Sequence, residues 1–401
     1  MNLLFLSIAY PDVDKTGNLY TSLTHELAKK GHNIRVVAPT FDGRTRMGTE
    51  GEVKVLRVHS GPLFNTGLIR KGFNTLLLCH RFHRTMRQYR DHWRSDWIVT
   101  STPPITLGKL VRHLRSLYKA RCYLILRDIF PQNAKDLGLI NNPVLFNFFR
   151  HNEKLLYRHS DVIGCMSPKN IQFVERQNPH IPSKKLKLLP NWIRPMDKDY
   201  IPKSHSRLWT EYGFRNKFIA LFGGNFGKPQ RVGFILDLAA KAQELEDVAF
   251  VLIGDGTEKP RIERQVTNRN LNNVYIFDRL PRHEYQALSC EADIGIVTLS
   301  EKFTIPNIPS RTLGYWDAQL PILAATDTNT DYKEILLDRY NAGLWAETGD
   351  LDNFYAQFLR FYNDRQLCRQ MGANGRRAVI NHFSVDTIAQ RMIEQMESIN
   401  D

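Results

Sequence analysis

The sequence predicts an α/β protein made of two doubly wound domains. Three observations point there. Short, β-rich apolar runs alternate with amphipathic helical stretches along the whole chain, which argues parallel sheets with right-handed crossovers. The length, 401 residues, is long for one core and comfortable for two. The charge is also divided. Residues 1–200 carry 32 Lys+Arg against 15 Asp+Glu, whereas residues 201–401 carry 23 against 26. The net charge of +14 therefore belongs to the first half, which should meet a membrane surface, nucleic acid or a phosphorylated substrate.

In chain order, Leu3–Ala9 reads as a buried first strand, and a helix from about Tyr20 to Lys30 stops at Gly31. Ile34–Ala38, Val53–Val58, Trp97–Thr100, Tyr123–Leu126, Val162–Cys165 and Leu186–Leu189 continue as strands. Pro190–Ser206 holds Pro190, Pro195 and Pro202 among charged residues without periodicity, and reads as a linker. The strand pattern resumes with Phe218–Phe222, Ala249–Ile253, Val274–Phe277, Ile294–Val297 and Ile322–Ala325. A last helix covers about Val385–Ile399. The expected organisation is a first domain over residues 1–189, a linker over 190–206 and a second domain over 207–384. Ligands of such sheets bind at the carboxyl ends of the strands, in the cleft between domains.

Several classes are excluded. No apolar run approaches the ~18 residues of a membrane-spanning helix. Met1–Leu6 lacks the basic region and cleavage site of a signal peptide. Cys79, Cys122, Cys165, Cys290 and Cys368 are far apart and odd in number, and read as core thiols of a reducing compartment. The basic residues are not interleaved with an aromatic platform and no nucleic-acid motif is present, so no nucleic acid is expected as partner.

Three turns in the second half favour anions. Leu221–Arg231 leaves a strand and enters a helix at about Val232. Its glycines let a backbone approach a phosphate, and Lys228 and Arg231 add cationic donors. A tight turn with solvated basic residues accounts for the same pattern. Ile253-Gly254-Asp255-Gly256 is a second strand with a glycine turn. Pro309-Ser310 reads as a helix start with Arg311 in the first turn. A cation there opposes the helix dipole, which points to Arg311 facing an anion.

Gly223-Gly224-Asn225-Phe226-Gly227-Lys228, Ile253-Gly254-Asp255-Gly256, and Pro309-Ser310-Arg311 followed by Tyr315–Ala324 resemble the motifs of family-4 glycosyltransferases. Arg127-Asp128-Ile129-Phe130-Pro131 resembles the Arg-Asp-aromatic-Pro signature of a subgroup making bacterial O-antigen and capsule sugars, which includes N-acetyl-L-fucosamine transferases. The resemblance spans nearly the whole chain, and is specific for fold and reaction type but not for the sugar. It implies a GT-B fold, in which two Rossmann-like domains face a central cleft. The C-terminal domain holds a nucleotide-sugar donor and the N-terminal domain an acceptor, often a lipid-linked saccharide. Helix 385–401 packs back on the first domain. It further implies retaining transfer without a metal or other cofactor. Asp12-Val13-Asp14 and Asp197-Lys198-Asp199 accordingly read as solvated loop carboxylates.

The resemblance also assigns residues. Arg231 occupies the slot of the family's phosphate lysine. Asn225 stands where some members carry an arginine, and Arg311 is placed to supply that cation, with Lys302 the weaker candidate. Gly224, Lys228, Gly254, Gly256 and Ser310 belong to the donor turns, and the backbone at Arg279-Leu280 resembles the segment that contacts the base. Gly17 resembles the glycine of the family's first loop. Asp128 is expected to hydrogen-bond a sugar hydroxyl, a structural pairing with Arg127 being the other reading. No base is assigned, because the leaving phosphate can itself take the acceptor proton. Gly314 departs from the pattern. It stands where members carry a ribose-binding glutamate, and the motif's upstream glutamate, whose place would fall near Pro306, is absent too. Glu301 and Asp317 are the nearby carboxylates.

Residues 51–150 hold 17 Lys+Arg against 5 Asp+Glu. Within them Leu78, Phe82, Met86, Tyr89 and Trp93 recur on one helical face. Arg84, Arg87 and Arg94 fall opposite, and Arg81 and Arg90 flank the stripe. The stripe either lies in an anionic membrane surface or packs on the core. A second basic helix is expected over Lys109–Arg121, with Arg112, Arg115 and Lys119. The expected protein is a cytoplasmic, peripheral-membrane glycosyltransferase. It would move a hexose or amino-deoxyhexose, favouring a UDP-linked HexNAc-type donor, to a lipid-linked saccharide. An epimerase or hydrolase on the same fold, and a donor-binding pseudoenzyme motivated by Gly314, are the alternatives.

Overall fold

The computed structural model of the protein describes residues 1–11, 17–41, 43–61, 68–88, 90–197 and 210–399. Its contacts divide the chain into two compact units, Met1–Pro190 with Val385–Asp401, and Asn191–Ser384.

The first unit is built on β1 (Asn2–Leu6), β2 (Asn33–Thr40), β3 (Arg46–Glu50), β4 (Val53–His59), β5 (Trp97–Ser101), β6 (Arg121–Leu126), β7 (Val162–Cys165) and β8 (Leu186–Leu188). They form one sheet in the order β3-β4-β2-β1-β5-β6-β7-β8. β1 is central because Leu3-Leu4-Phe5-Leu6 is apolar on both faces, as a strand covered on both sides must be. It pairs in parallel with β2 and β5, Leu3 lying opposite Ile34 and Trp97. β1 ends earlier than the apolar run suggests. The Ser7 hydroxyl accepts the Ala9 N–H at 3.3 Å and turns the chain.

β3 is a correction to the all-parallel expectation, since it pairs antiparallel with β4. Its sequence, Arg-Met-Gly-Thr-Glu, is polar and exposed, so no alternation announces it. Glu50 at its end holds the buried Arg57 of β4 through two hydrogen bonds, at 2.8 and 2.6 Å.

The helices of this unit are α1 (Leu19–Lys29), α2 (Leu68–Gln88), α3 (Gly108–Tyr118), α4 (Gln132–Asp136), α5 (Pro143–Arg158) and α6 (Pro168–Gln177). α1 is started by Asn18, whose side chain accepts from the N–H groups of Tyr20 and Thr21. In α2, Leu78, Phe82 and Met86 are buried, as is Trp93 on the separate 3-10 turn Arg90–Trp93. The stripe is therefore core, which overturns its placement in lipid. Arg84, Arg87 and Arg94 are exposed, and Tyr89 lies outside the described residues.

The second basic helix is also shorter than expected. Lys119 takes a left-handed conformation (φ 55°) that ends α3, and Arg121 opens β6. Arg115 is tied to Asp161 at 2.7 Å. The chain's last helix belongs to this unit. Its Asp386 pairs with Lys30 at 2.7 Å, and its Gln395 accepts from the Tyr123 hydroxyl at 2.6 Å.

The second unit holds β9 (Phe218–Asn225), β10 (Val248–Asp255), β11 (Val274–Phe277), β12 (Ile294–Thr298), β13 (Ile322–Thr326) and β14 (Gly343–Glu347), in the order β11-β10-β9-β12-β13-β14. All neighbours are parallel. β14 is an edge strand the sequence hides, because it opens on Gly343, where a Cβ would lie 2.5 Å from the Ile322 carbonyl oxygen. The helices are α7 (Gly233–Lys241), α8 (Lys259–Asn268), α9 (Arg282–Glu291), α10 (Arg311–Asp317), α11 (Leu351–Asn363), α12 (Arg365–Ala378) and, in the first unit, α13 (Val385–Glu397).

In the core Phe250 stacks on Phe358 of α11 and Phe218 meets the same ring edge to face, with ring centroids 5.5 Å apart in both pairs. The five cysteines are free, and Cys122, Cys165 and Cys368 are buried. Among the described residues no helix is long and apolar enough to cross a membrane.

Candidate functional site

In the second sheet, β9 leads outward to β10 and β11 on one side, while β12 and β13 lie on the other. The ends of β9 and β12 therefore form the switch point, where sheets of this kind bind ligands. Two contacts tie the loops after these strands together. The Ser300 N–H donates to the Pro229 carbonyl at 2.9 Å, and the Thr298 hydroxyl donates to the Gln230 carbonyl. Arg231, Glu301, Lys302, Ser310 and Arg311 all belong to this loop pair or to the start of α10.

Arg311 is the side chain most plainly prepared for a ligand. Its guanidinium lies over the Phe222 ring, 4.4 Å from the centroid. Its Nη1 is buried without a hydrogen-bond partner. A buried, unpaired charged donor costs more than the ~1–3 kcal/mol of a neutral one, so an anion arriving there recovers that cost. The surroundings fix the side chain. The Gly223 N–H donates to the Tyr315 hydroxyl at 2.8 Å, and Tyr285 lies against Tyr315. Burial pushes both phenols up, so they stay neutral.

The glycines of this region are needed first for packing. A Cβ on Gly223 would lie 2.0 Å from the Tyr285 hydroxyl, and one on Gly224 3.1 Å from Arg311 Cζ. The Gly-Gly-Asn and Gly-Asp segments read as turns in the sequence are strand ends, with Gly224 paired to Gly254 and Asn225 to Asp255. A Cβ on Gly254 would meet the Gly224 carbonyl at 1.8 Å, and one on Gly256 the Phe226 carbonyl at 2.5 Å. Both glycines have positive φ, 148° and 156°.

Arg231 sits at φ 41° after a 3-10 turn, Lys228–Gln230. It is ion-paired with Glu301 and lies 5.4 Å from the Phe234 ring centroid. Asn225, Lys228, Lys302 and Ser310 are exposed beside it. Arg279 is exposed and Leu280 half-buried, just past β11. The Gly314 position is open, with nothing within 4 Å of an added Cβ. Neither nearby carboxylate is free to take the missing glutamate's part. Glu301 holds Arg231, and Asp317 is buried, ion-paired with Arg376, and accepts the Met196 N–H at 3.1 Å.

Lys259 carries no signal in the sequence. It is buried at the start of α8, donates to the Gly254 carbonyl at 3.2 Å and pairs with Asp278. That contact holds the Asp278 carboxyl below its ordinary range.

In the first unit, Asp128 follows β6. The N–H groups of Arg127 and Asp128 both donate to the Thr102 hydroxyl, at 3.1 and 3.2 Å. Arg127 is depressed by burial, against the favourable charges of Tyr20 and Asp128. Asp128 is thus placed with Arg127, Tyr20 of α1 and Thr102 after β5, at the carboxyl end of this sheet. Gly17 is exposed just before α1, with a Cβ position 3.3 Å from the Thr21 hydroxyl. Asp12, Asp14 and Asp199 lie outside the described residues, and Asp197 is exposed.

Two Rossmann-like units with parallel sheets and charged strand ends are the architecture of the GT-B fold. Residues 211–378 match the glycosyl transferases group 1 family, and residues 18–192 match the glycosyl transferase 4-like domain. The chain is a glycosyltransferase that carries a glycosyl transferase 4-like domain ahead of a group 1 domain. It is 24% identical over 329 residues, 80% of each chain, to the probable glycosyltransferase WbjE of Pseudomonas aeruginosa. Identity is also 24% over 324 residues, 74% of this chain and 75% of the relative, to the putative colanic acid biosynthesis glycosyl transferase WcaI of Escherichia coli strain K12. The fold is similar to that of HepE of Anabaena in complex with UDP-glucose, with TM-score 0.70 and 16% identity over 99% of this chain and 100% of that one.

Proposed function

We propose that the protein transfers a hexose or amino-deoxyhexose from a nucleotide sugar, UDP-linked, to a lipid-linked saccharide of a bacterial surface polysaccharide. The observation that carries this reading is the buried, partnerless Nη1 of Arg311 at the switch point of the second unit. The UDP-glucose held by HepE supports the donor class, and the names of WcaI and WbjE support the polysaccharide setting. The Arg127–Pro131 signature favours an O-antigen or capsule product and the N-acetyl-L-fucosamine subgroup.

In this reading the bond from the sugar's anomeric carbon to the diphosphate breaks, and the acceptor oxygen bonds the same face. The acceptor proton passes to the leaving phosphate. Arg311 and Arg231, the latter released by Glu301, stabilise the charge that grows on the diphosphate, the work a metal does elsewhere. Asp128 orients a sugar hydroxyl. The units serve as acceptor domain (1–189 with 385–401) and donor domain (207–384). The exposed Arg84, Arg87 and Arg94 hold the enzyme on the inner face of the cell membrane. The test is mass spectrometry of nucleotide sugars incubated with lipid-diphosphate saccharides, in which a glycosylated lipid product is expected.

The open Gly314 position favours a second reading, a donor-binding protein without turnover. It predicts calorimetric nucleotide binding with no product from any donor–acceptor pair. In the first reading, Gly314→Glu finds open space and tightens nucleotide binding.

A further inference from the structure

The face of the first unit formed by α2, α3 and α5 carries a hollow of about 460 Å³, and a neighbouring hollow of about 370 Å³ shares His83 and His113 with it. Gly108 lets the start of α3 approach α5, since a Cβ there would lie 3.1 Å from the Leu156 backbone nitrogen. Four imidazoles meet at the larger hollow: His80 and His83 from α2, His113 from α3 and His151 from α5. The rings of His83 and His113 are 4.4 Å apart. Lys109 joins them, and Arg87 lines the neighbouring hollow. Among the described residues, no carboxylate lines either hollow. Two buried polar atoms there lack partners, His83 Nε2 and the Oγ1 of Thr106, a residue only 7% exposed. The Lys109 ammonium and the neighbouring Arg87 guanidinium, converging with unsatisfied buried polar atoms and no counter-charge, are the chemistry of an anion site.

The rim adds an apolar half. Phe148 of α5 lines the hollow and is itself exposed, and Leu145 and Val144 continue its face one turn back, Val144 being 77% exposed. An anionic head among imidazoles and an exposed aliphatic ridge together fit an amphiphile.

We propose that this α2–α3–α5 hollow binds a phosphate-bearing amphiphile, its phosphate at Lys109, His83, His113 and Thr106 and its chain along Phe148, Leu145 and Val144. The inference extends the lipid-linked acceptor reading and rests on it only for which amphiphile is bound. His83 is faced by His80 and Arg87 of its own helix, by Lys109 and His113 of α3 and by His151 of α5.

The experiment uses the full chain with saturating UDP occupying the second unit. Calorimetry measures farnesyl diphosphate and inorganic phosphate, and co-sedimentation measures phosphatidylcholine vesicles with and without phosphatidylglycerol. Farnesyl diphosphate should bind more tightly than phosphate. The exposed-residue pair Lys109→Glu with His113→Asp should raise Kd about tenfold or more, and Val144→Asp with Leu145→Ser should raise it for farnesyl diphosphate but not for phosphate. Loss confined to phosphatidylglycerol vesicles names the lipid surface as the phosphate source, and loss of farnesyl diphosphate names a discrete ligand. Unchanged binding in the charge variant, or no binding of any probe, overturns the site. Absent turnover with intact binding instead contradicts the acceptor reading alone.

Discussion

Arg311 shows why single residues decide this site. Its guanidinium is held by Phe222 beneath and by Gly224 beside it, yet one nitrogen finds no partner. Arg311→Ala should lower kcat/KM by about 10²–10³, the size of a lost charge-stabilising donor, while its Tm stays level or rises. Arg311→Lys should rescue only part, because the forked geometry is lost. Steady-state rates beside thermal melts check both.

Gly254→Ala acts in the opposite way. A Cβ 1.8 Å from the Gly224 carbonyl, at φ 148°, should destabilise the protein by about 2–4 kcal/mol in urea unfolding. Asp317→Ala should cost about 3–5 kcal/mol by leaving Arg376 without its buried partner. The glycine motifs were legible in the sequence, but their packing role was not. Tyr285, which demands Gly223, and Tyr315, which demands Gly295, are distant from those glycines in the chain and adjacent to them only once the sheet forms.

At the scale of elements, apolar runs marked the buried strands because parallel strands covered on both faces are apolar throughout. β3 and β14 escaped because edge strands pair through their backbones without needing such runs. α2 shows the limit of periodicity. The stripe Leu78–Phe82–Met86 fixes one helical face but not what covers it, and burial assigns it to the core. Leu78→Ala and Phe82→Ala should each cost about 2–5 kcal/mol. Arg84→Glu, Arg87→Glu and Arg94→Glu should each stay within about 0.5 kcal/mol, because these side chains are exposed. Equilibrium unfolding of the five variants separates a packed face from a solvated one.

For the whole molecule, the opening asymmetry in charge acquires a structural meaning. The near-neutral half places a few cations, Arg231 and Arg311 above all, at the switch point of its sheet. The basic half spreads its surplus over exposed helix faces and the imidazole-lined hollow. The central claim is that Arg311 bears the leaving diphosphate during glycosyl transfer. The most direct measurement is mass-spectrometric turnover of UDP-sugars with lipid-diphosphate saccharides, run on the natural protein and on Arg311→Ala. A glycosylated lipid is expected from the natural protein, and a rate about 10²–10³ lower from a variant that remains folded. Equal rates from the two proteins would contradict the claim.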